Sequence, residues 1–88
     1  MRKQISEKAI DGVIYELRQT IKMRLEEKGY GSFASKHEIL GILEEEMKEY
    51  VDAVHENVPT SYLSHELMDI AVACVFGCAC IEEEGLDW

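Results

Sequence analysis

The chain has 88 residues, with nine Lys or Arg and eighteen Asp or Glu, so its formal net charge is −9. This length predicts one domain, spanning residues 1–88, with a modest hydrophobic core. The acidic balance argues against binding to a nucleic-acid duplex, because such binding needs clustered cations that displace counterions from the phosphates.

The charge is unevenly distributed along the chain. Residues 1–48 contain all nine basic residues and nine acids, whereas residues 49–88 contain nine acids and no Lys or Arg. The carboxylates of the second half must therefore be solvated, paired with cations from the first half or from another chain, or bound to a metal ion.

Periodicity predicts an all-α chain with three main helices, at about 5–28, 36–56 and 61–84. Apolar residues recur at spacings of three and four along the first helix, as in an amphipathic helix. Glycines follow the first and third helices, and a proline follows the second, which is typical of helix ends.

Capping residues support the helix starts. Ser35 and Glu38 have the spacing of a capping box at the start of the second helix. Thr60 or Ser61 is expected to cap the third helix with its side chain.

The third helix contains an apolar run, Leu67–Ile81, that covers every side of the helix. A helix that is apolar all round needs cover on all sides, which three helices in so short a chain do not easily supply. We therefore expect an antiparallel helical bundle of three main helices that is completed by homo-oligomerisation.

The same run contains the three cysteines of the chain, Cys74, Cys78 and Cys80. An odd number of thiols, after first residues without the hydrophobic stretch of a signal peptide, predicts a reducing, cytoplasmic location. As a helix, a run of this length would be about 22 Å long, shorter than a hydrocarbon core of about 30 Å. We expect it to be buried in protein, with no membrane as a partner.

Two pairs of acids lie where apolar residues are expected. On a helical wheel, Glu46 lies inside the apolar arc of the second helix and Glu49 lies at the edge of that arc. Glu66 and Asp69 repeat this i, i+3 spacing on the third helix, so each pair shares one helix face and is expected to be half-buried.

Sixteen residues separate Glu49 from Glu66, enough for the two helices to return antiparallel and bring the four carboxylates together. Burying an unpaired anion costs on the order of several kcal/mol, so the carboxylates need protons, cationic partners or a divalent ion. Oxygen-only ligands favour a hard cation, Mg²⁺ or, alternatively, Mn²⁺. The competing interpretation is that these acids lie at the bundle's rim and are solvated.

The residues Glu45-Glu46-Met47-Lys48-Glu49, followed after sixteen residues by Glu66-Leu67-Met68-Asp69, resemble the EExxE…ExxD signature of the MazG family, all-α nucleoside triphosphate pyrophosphohydrolases. The resemblance implies a dimer or tetramer that hydrolyses a nucleoside triphosphate to the monophosphate and pyrophosphate. It implies Mg²⁺ held by Glu46, Glu49, Glu66 and Asp69, with Glu45, Glu46 and Glu49 as catalytic residues. The wheel places Glu46 inward and Glu45 outward, where Glu45 could order a water.

The chain departs from the family in its last residues. Family members often carry Lys, Arg or Asn after the ExxD helix, and none of these stands there in this chain. The candidates for phosphate binding are therefore Arg18 and Lys22 on the first helix, with Lys36 and His37 at the start of the second. The alternative function is a non-catalytic helical interaction or assembly protein, or an inactive member of the family.

Two weaker signals lie between the acidic pairs and at the helix ends. Asp52 and His55 form a DxxH pair, but both are predicted to face outward on the second helix. Tyr62, Tyr30 and Phe33 lie near helix ends, where an aromatic ring either stacks on a nucleobase or contributes to packing.

Overall fold

The computed structural model describes residues 1–87, which are helical in three segments and contain no β-strand. These residues form two compact units, one of residues 1–30 and one that begins at Gly31. The three helices are α1 (Glu7–Lys28) in the first unit, and α2 (Lys36–His55) and α3 (Thr60–Glu82) in the second. The all-α prediction is confirmed, and homo-oligomerisation stays a prediction.

Helix α1 begins two residues later than its periodicity predicts. The Ser6 hydroxyl caps it by accepting a hydrogen bond from the Ala9 amide at 3.1 Å. At the other end Gly29 has φ +92°, and its amide donates to the Leu25 carbonyl at 2.8 Å. Glycine adopts this left-handed conformation without steric cost, so the helix ends there as predicted.

Helix α2 begins at the predicted cap. The Ser35 hydroxyl accepts from the Glu38 amide at 3.2 Å, and the Glu38 carboxylate accepts from the Ala34 amide at 2.8 Å. In a standard capping box the acid accepts from the amide of the N-cap residue, here Ser35, whereas Glu38 accepts from the amide one residue earlier. The reciprocal pair of side-chain hydrogen bonds is otherwise the same. The helix ends at His55, one residue before the predicted end.

Helix α3 begins differently from the prediction. Pro59 is the N-cap, with φ −57° and no side-chain cap, so capping by Thr60 or Ser61 is wrong. Asn57 turns the chain with φ +55°, and the fixed φ of Pro59 then suits the residue before the first helical turn. Thr60 is consequently already helical, and the Pro59 carbonyl accepts from the Tyr62 amide at 2.9 Å.

Helix α3 also ends earlier than predicted, at Glu82. Glu84 takes the left-handed conformation, with φ +53°, and the Gly85 amide donates to the Cys80 carbonyl at 2.8 Å. The Asp87 amide then donates to the Ala34 carbonyl at 2.6 Å, which ties the segment after α3 to the segment before α2.

Helices α2 and α3 pack antiparallel. Ile39, near the start of α2, faces Gly77, near the end of α3, and the rings of Phe33 and Phe76 meet edge to face with centroids 4.9 Å apart. The buried apolar residues are small or medium in size: Ala53, Val72, Ala73, Gly77 and Cys80. Small side chains at the interface let the two helix backbones approach closely.

Many large apolar side chains of this hairpin remain exposed to solvent. On α2 and α3 they are Leu40, Met47, Val51, Val54, Tyr62, Leu67, Val75 and Ile81. Exposed apolar area of this extent is typical of surfaces that another molecule covers.

By length and composition, α3 is the one helix among residues 1–87 that could cross a membrane. With 23 residues it is about 34 Å long. The apolar run Leu67–Ile81 was expected to be too short to cross a bilayer. The whole of α3 is longer than that run, so the argument from length does not apply to the helix. The core helix of a soluble protein meets the same two criteria.

Gly77 tests how closely the two helices approach. A Cβ atom at this position would lie 3.4 Å from Ile39 Cγ2, an ordinary van der Waals distance. Gly77→Ala should therefore raise the free energy of unfolding by about 0.5–1 kcal/mol through helix propensity, whereas Gly77→Leu should lower it by about 1–3 kcal/mol through overpacking.

Urea unfolding measures both changes. Gly41→Ala is the matched control, because Gly41 lies in α2 with open space around its Cα. It should gain stability as Gly77→Ala does. A Gly77→Leu variant as stable as Gly77→Ala would show that the helices are not in close contact here.

Candidate metal centre

Four carboxylates meet in the middle of the α2–α3 hairpin. One carboxylate oxygen from each of Glu46, Glu49, Glu66 and Asp69 lies within 4.8 Å of the others. Because α2 and α3 are antiparallel, the i, i+3 pair on each helix faces the pair on the other. We call these four residues the acidic cluster.

The members of the acidic cluster differ in exposure. Glu66 is buried, with 9% of its surface exposed, and Glu46 and Asp69 are half-buried. Glu49 is exposed, so the expectation that it is half-buried is wrong. The same expectation underestimates the burial of Glu66. The cluster is therefore enclosed on the α3 side and open to solvent beside Glu49.

Glu66 is a perturbed carboxyl of the cluster. Burial raises its pKa above the ordinary value of 4.5, and the charges of Glu49 and Asp69 raise it further. A shared hydrogen bond with Glu49 acts in the same direction, and His65 partly opposes the rise. All of the dominant causes penalise the ionised form of Glu66.

One oxygen of Glu66, Oε2, is buried and has no hydrogen-bond partner. Ionised carboxylates only accept hydrogen bonds, so Glu49 and Glu66 can share one only when one of them carries a proton. A buried acceptor without a donor is costly, and a proton or a cation would remove that cost.

The donor set fits a hard divalent cation. All four groups are carboxylates, and oxygen ligands without His or Cys suit Mg²⁺ or Mn²⁺ better than softer metals. The cluster could thus hold a metal ion through Glu46, Glu49, Glu66 and Asp69.

A cleft of about 350 Å³ adjoins the acidic cluster. Its walls come from the end of α2, the connection and the start of α3, and they consist of Glu49, Asp52, Ala53, Glu56, Val58, Tyr62 and Glu66. Because Glu49 and Glu66 belong to both the cleft and the cluster, a molecule bound in the cleft would lie beside the metal position.

The cleft contains residues that sequence reasoning did not assign to a site. Asp52 is exposed as predicted, but it lines the cleft together with Glu56 and Tyr62. The acidic face of the cluster continues towards the end of α2, because Glu49, Asp52 and Glu56 follow one another at spacings of three and four residues. This spacing is visible in the sequence.

The other predicted site residues lie outside the acidic cluster. Glu45 is exposed on α2, and Lys36 and His37 are exposed in its first turn. Arg18 and Lys22 are exposed on α1, in the first unit. Their roles in catalysis and phosphate binding stay predictions.

Comparison of the chain with protein-family models, curated proteins and solved structures found no match.

Replacing Glu66 tests the electrostatic cost of the cluster. In metal-free protein at neutral pH, Glu66→Gln should raise the free energy of unfolding, because the amide carries no charge and can donate a hydrogen bond to Glu49. Urea unfolding in the presence of a chelator measures the change, with Glu44→Gln, an exposed residue of α2, as the control.

The difference in the free energy of unfolding between Glu66→Gln and the wild type should depend on pH. The folded-state pKa of Glu66 is raised, so the stability contributed by its protonated form is present below pH 4.5 and is lost as the pH rises through that raised pKa. The advantage of Glu66→Gln should therefore grow over this interval. An advantage independent of pH would contradict the raised pKa.

Proposed function

We propose that this protein is a Mg²⁺-dependent nucleoside triphosphate pyrophosphohydrolase of the MazG type. The observation that carries the proposal is the acidic cluster, since the four acids of the EExxE…ExxD pattern lie within 4.8 Å of one another on two antiparallel helices. A buried Glu66 oxygen without a donor is costly, and a cation bound among the four carboxylates would remove that cost.

In this proposal Glu46, Glu49, Glu66 and Asp69 hold Mg²⁺. When bound, Mg²⁺ offsets the charge of the triphosphate and makes the α-phosphorus more electrophilic. The buried Glu66 and half-buried Asp69 fix the position of the site, because Gly77 of their helix packs against Ile39 of α2.

Glu45, the exposed glutamate of the first motif that is not a metal ligand in this proposal, is assigned to orient the attacking water and take its proton. The water oxygen forms a bond to the α-phosphorus as the bond from that phosphorus to the α–β bridging oxygen breaks. The products are the nucleoside monophosphate and pyrophosphate, and the proton leaves through a carboxylate to solvent.

The phosphates also need cations that the acidic cluster does not contain. We propose that Lys36 and His37 in α2 and Arg18 and Lys22 in α1 supply them, and that the protein is a dimer or tetramer. The exposed apolar side chains of α2 and α3 support homo-oligomerisation, and the free cysteines support a cytoplasmic location.

Removing one metal ligand should abolish catalysis without unfolding the protein. Glu49→Gln and Asp69→Asn should each lower kcat/KM for pyrophosphate release by about a hundredfold or more, because each removes a charged ligand from the cluster. The assay measures pyrophosphate from canonical and damaged nucleotides with Mg²⁺, and circular dichroism checks helicity.

Glu44→Gln is the control for a change of charge on the same helix, and its activity should equal that of the wild type. Absence of activity on every nucleotide, together with a Glu49→Gln variant that is more stable than the wild type without metal, would instead support the non-catalytic interaction protein.

The oligomer is tested by its mass. Multi-angle light scattering at micromolar concentration should give at least twice the 10.1 kDa of one chain. Val75→Lys should lower this mass, because Val75 is an exposed apolar residue of α3 and a buried, unpaired ammonium would be costly. A wild-type mass of one chain would refute the oligomer.

A further inference from the structure

The exposed apolar side chains of the α2–α3 hairpin form a stripe on each helix, with the spacings of a coiled-coil seam. Residues recur at intervals of seven, four and three along α2, and the same intervals recur along α3. Two of the residues on α3 are free cysteines, which pack as small apolar side chains. The stripes are Leu40, Met47, Val51 and Val54 on α2, and Leu67, Cys74, Cys78 and Ile81 on α3.

Both stripes lie on the same side of the hairpin. Val54 directly follows the buried Ala53, and Cys78 directly follows the buried Gly77. One residue is a rotation of about 100°, so each stripe is turned away from the helix interface by the same angle and in the same sense. Two antiparallel helices are related by a two-fold axis perpendicular to their common plane, which keeps both stripes on one side. We call this surface the hairpin face.

Helix α1 has an apolar stripe of matching length. None of its residues is buried, and Ile10 and Ile14 are 49% and 57% exposed. Its stripe would span about 22 Å, and each stripe of the hairpin face would span about 21 Å. The members of the α1 stripe recur at spacings of four and three: Ile10, Ile14, Leu17, Ile21 and Leu25.

The charges of the two units favour α1 as the helix that covers the hairpin face. Residues 31–88 contain two Lys and thirteen acids, a net charge of −11, whereas residues 1–30 contain seven Lys or Arg and five acids, a net charge of +2. A second hairpin would bring a like charge to the hairpin face, but α1 brings the opposite charge. Arg18 and Lys22 directly follow Leu17 and Ile21, so these cations border the α1 stripe.

We infer that α1 of a second copy of this chain covers the hairpin face. Both surfaces are exposed within one chain, and a second copy supplies the cover that each needs. If each chain gives its α1 to the other hairpin, the contacts form a closed two-fold dimer without a remaining apolar surface to recruit further copies. The inference rests on the proposed oligomer and is independent of nucleotide hydrolysis.

Disulfide cross-linking of the full chain tests this contact. Cys74 is the midpoint of the α3 stripe and Leu17 lies near the midpoint of the α1 stripe, so the two positions meet whichever way α1 runs. With diamide as the oxidant, Leu17→Cys should form a covalent two-chain species at least about tenfold faster than the wild type, because a disulfide needs Cβ atoms about 4 Å apart.

Two controls match this variant. Gln19→Cys places a thiol at an exposed position of α1 about 200° around the helix from Leu17, and it should cross-link at the wild-type rate. Adding Cys74→Ser and Cys78→Ser to Leu17→Cys should abolish the rapid cross-link. Should Leu17→Cys lose helicity by circular dichroism, Ile14→Cys and Ile21→Cys replace it, one turn to either side on the same stripe.

The other outcomes would overturn the inference. A rapid disulfide within one chain, seen by mass spectrometry as the loss of two thiols without a change in chain number, would show that a chain's own α1 covers the hairpin face. Cross-linking of the wild type as fast as Leu17→Cys would assign the face to a second hairpin. Absence of a rapid cross-link in every α1 variant would show that α1 does not lie there.

These failures are distinguishable from failure of the proposed function. A light-scattering mass of two or more chains without the cross-link would leave the proposed oligomer intact and refute only the role of α1. A mass of one chain would refute both the oligomer and the inference. Neither result bears on pyrophosphate release, which is measured separately.

Discussion

The constraint on which the candidate site depends is the convergence of four carboxyl groups within 4.8 Å of one another between two helices. Repulsion at this distance opposes folding, and burial of Glu66 adds a desolvation cost. A chain of 88 residues has little stability to offset such costs. The cluster could hold a metal ion, and in the proposed function that ion offsets these costs.

The rest of the hairpin positions this cluster. Small residues at the interface, Ala53, Ala73 and Gly77, let α2 and α3 approach closely enough for their acids to meet. Large apolar side chains on the outer faces of the two helices remain exposed. This exposed apolar area motivates the proposed oligomer.

Local patterns predicted much of this arrangement. The Ser35 and Glu38 pair identified the start of α2, and the i, i+3 spacing of acids on apolar faces identified the cluster, because both signals depend on one helix at a time. The start of α3 depends instead on how Asn57 turns the chain into Pro59, so the side-chain cap predicted there was wrong. A helical wheel correctly classified Asp52 as outward, but it displays one helix at a time and so could not show that Asp52 lines a cleft together with Tyr62.

The most direct test of the central claim is an anomalous difference map from crystals grown with Mn²⁺, a scatterer that substitutes for Mg²⁺. We expect a peak among Glu46, Glu49, Glu66 and Asp69, with carboxylate oxygens at about 2 Å from the ion. A map without a peak at this position, in which Glu49 and Glu66 lie at hydrogen-bond distance as a proton-sharing pair, would contradict the account.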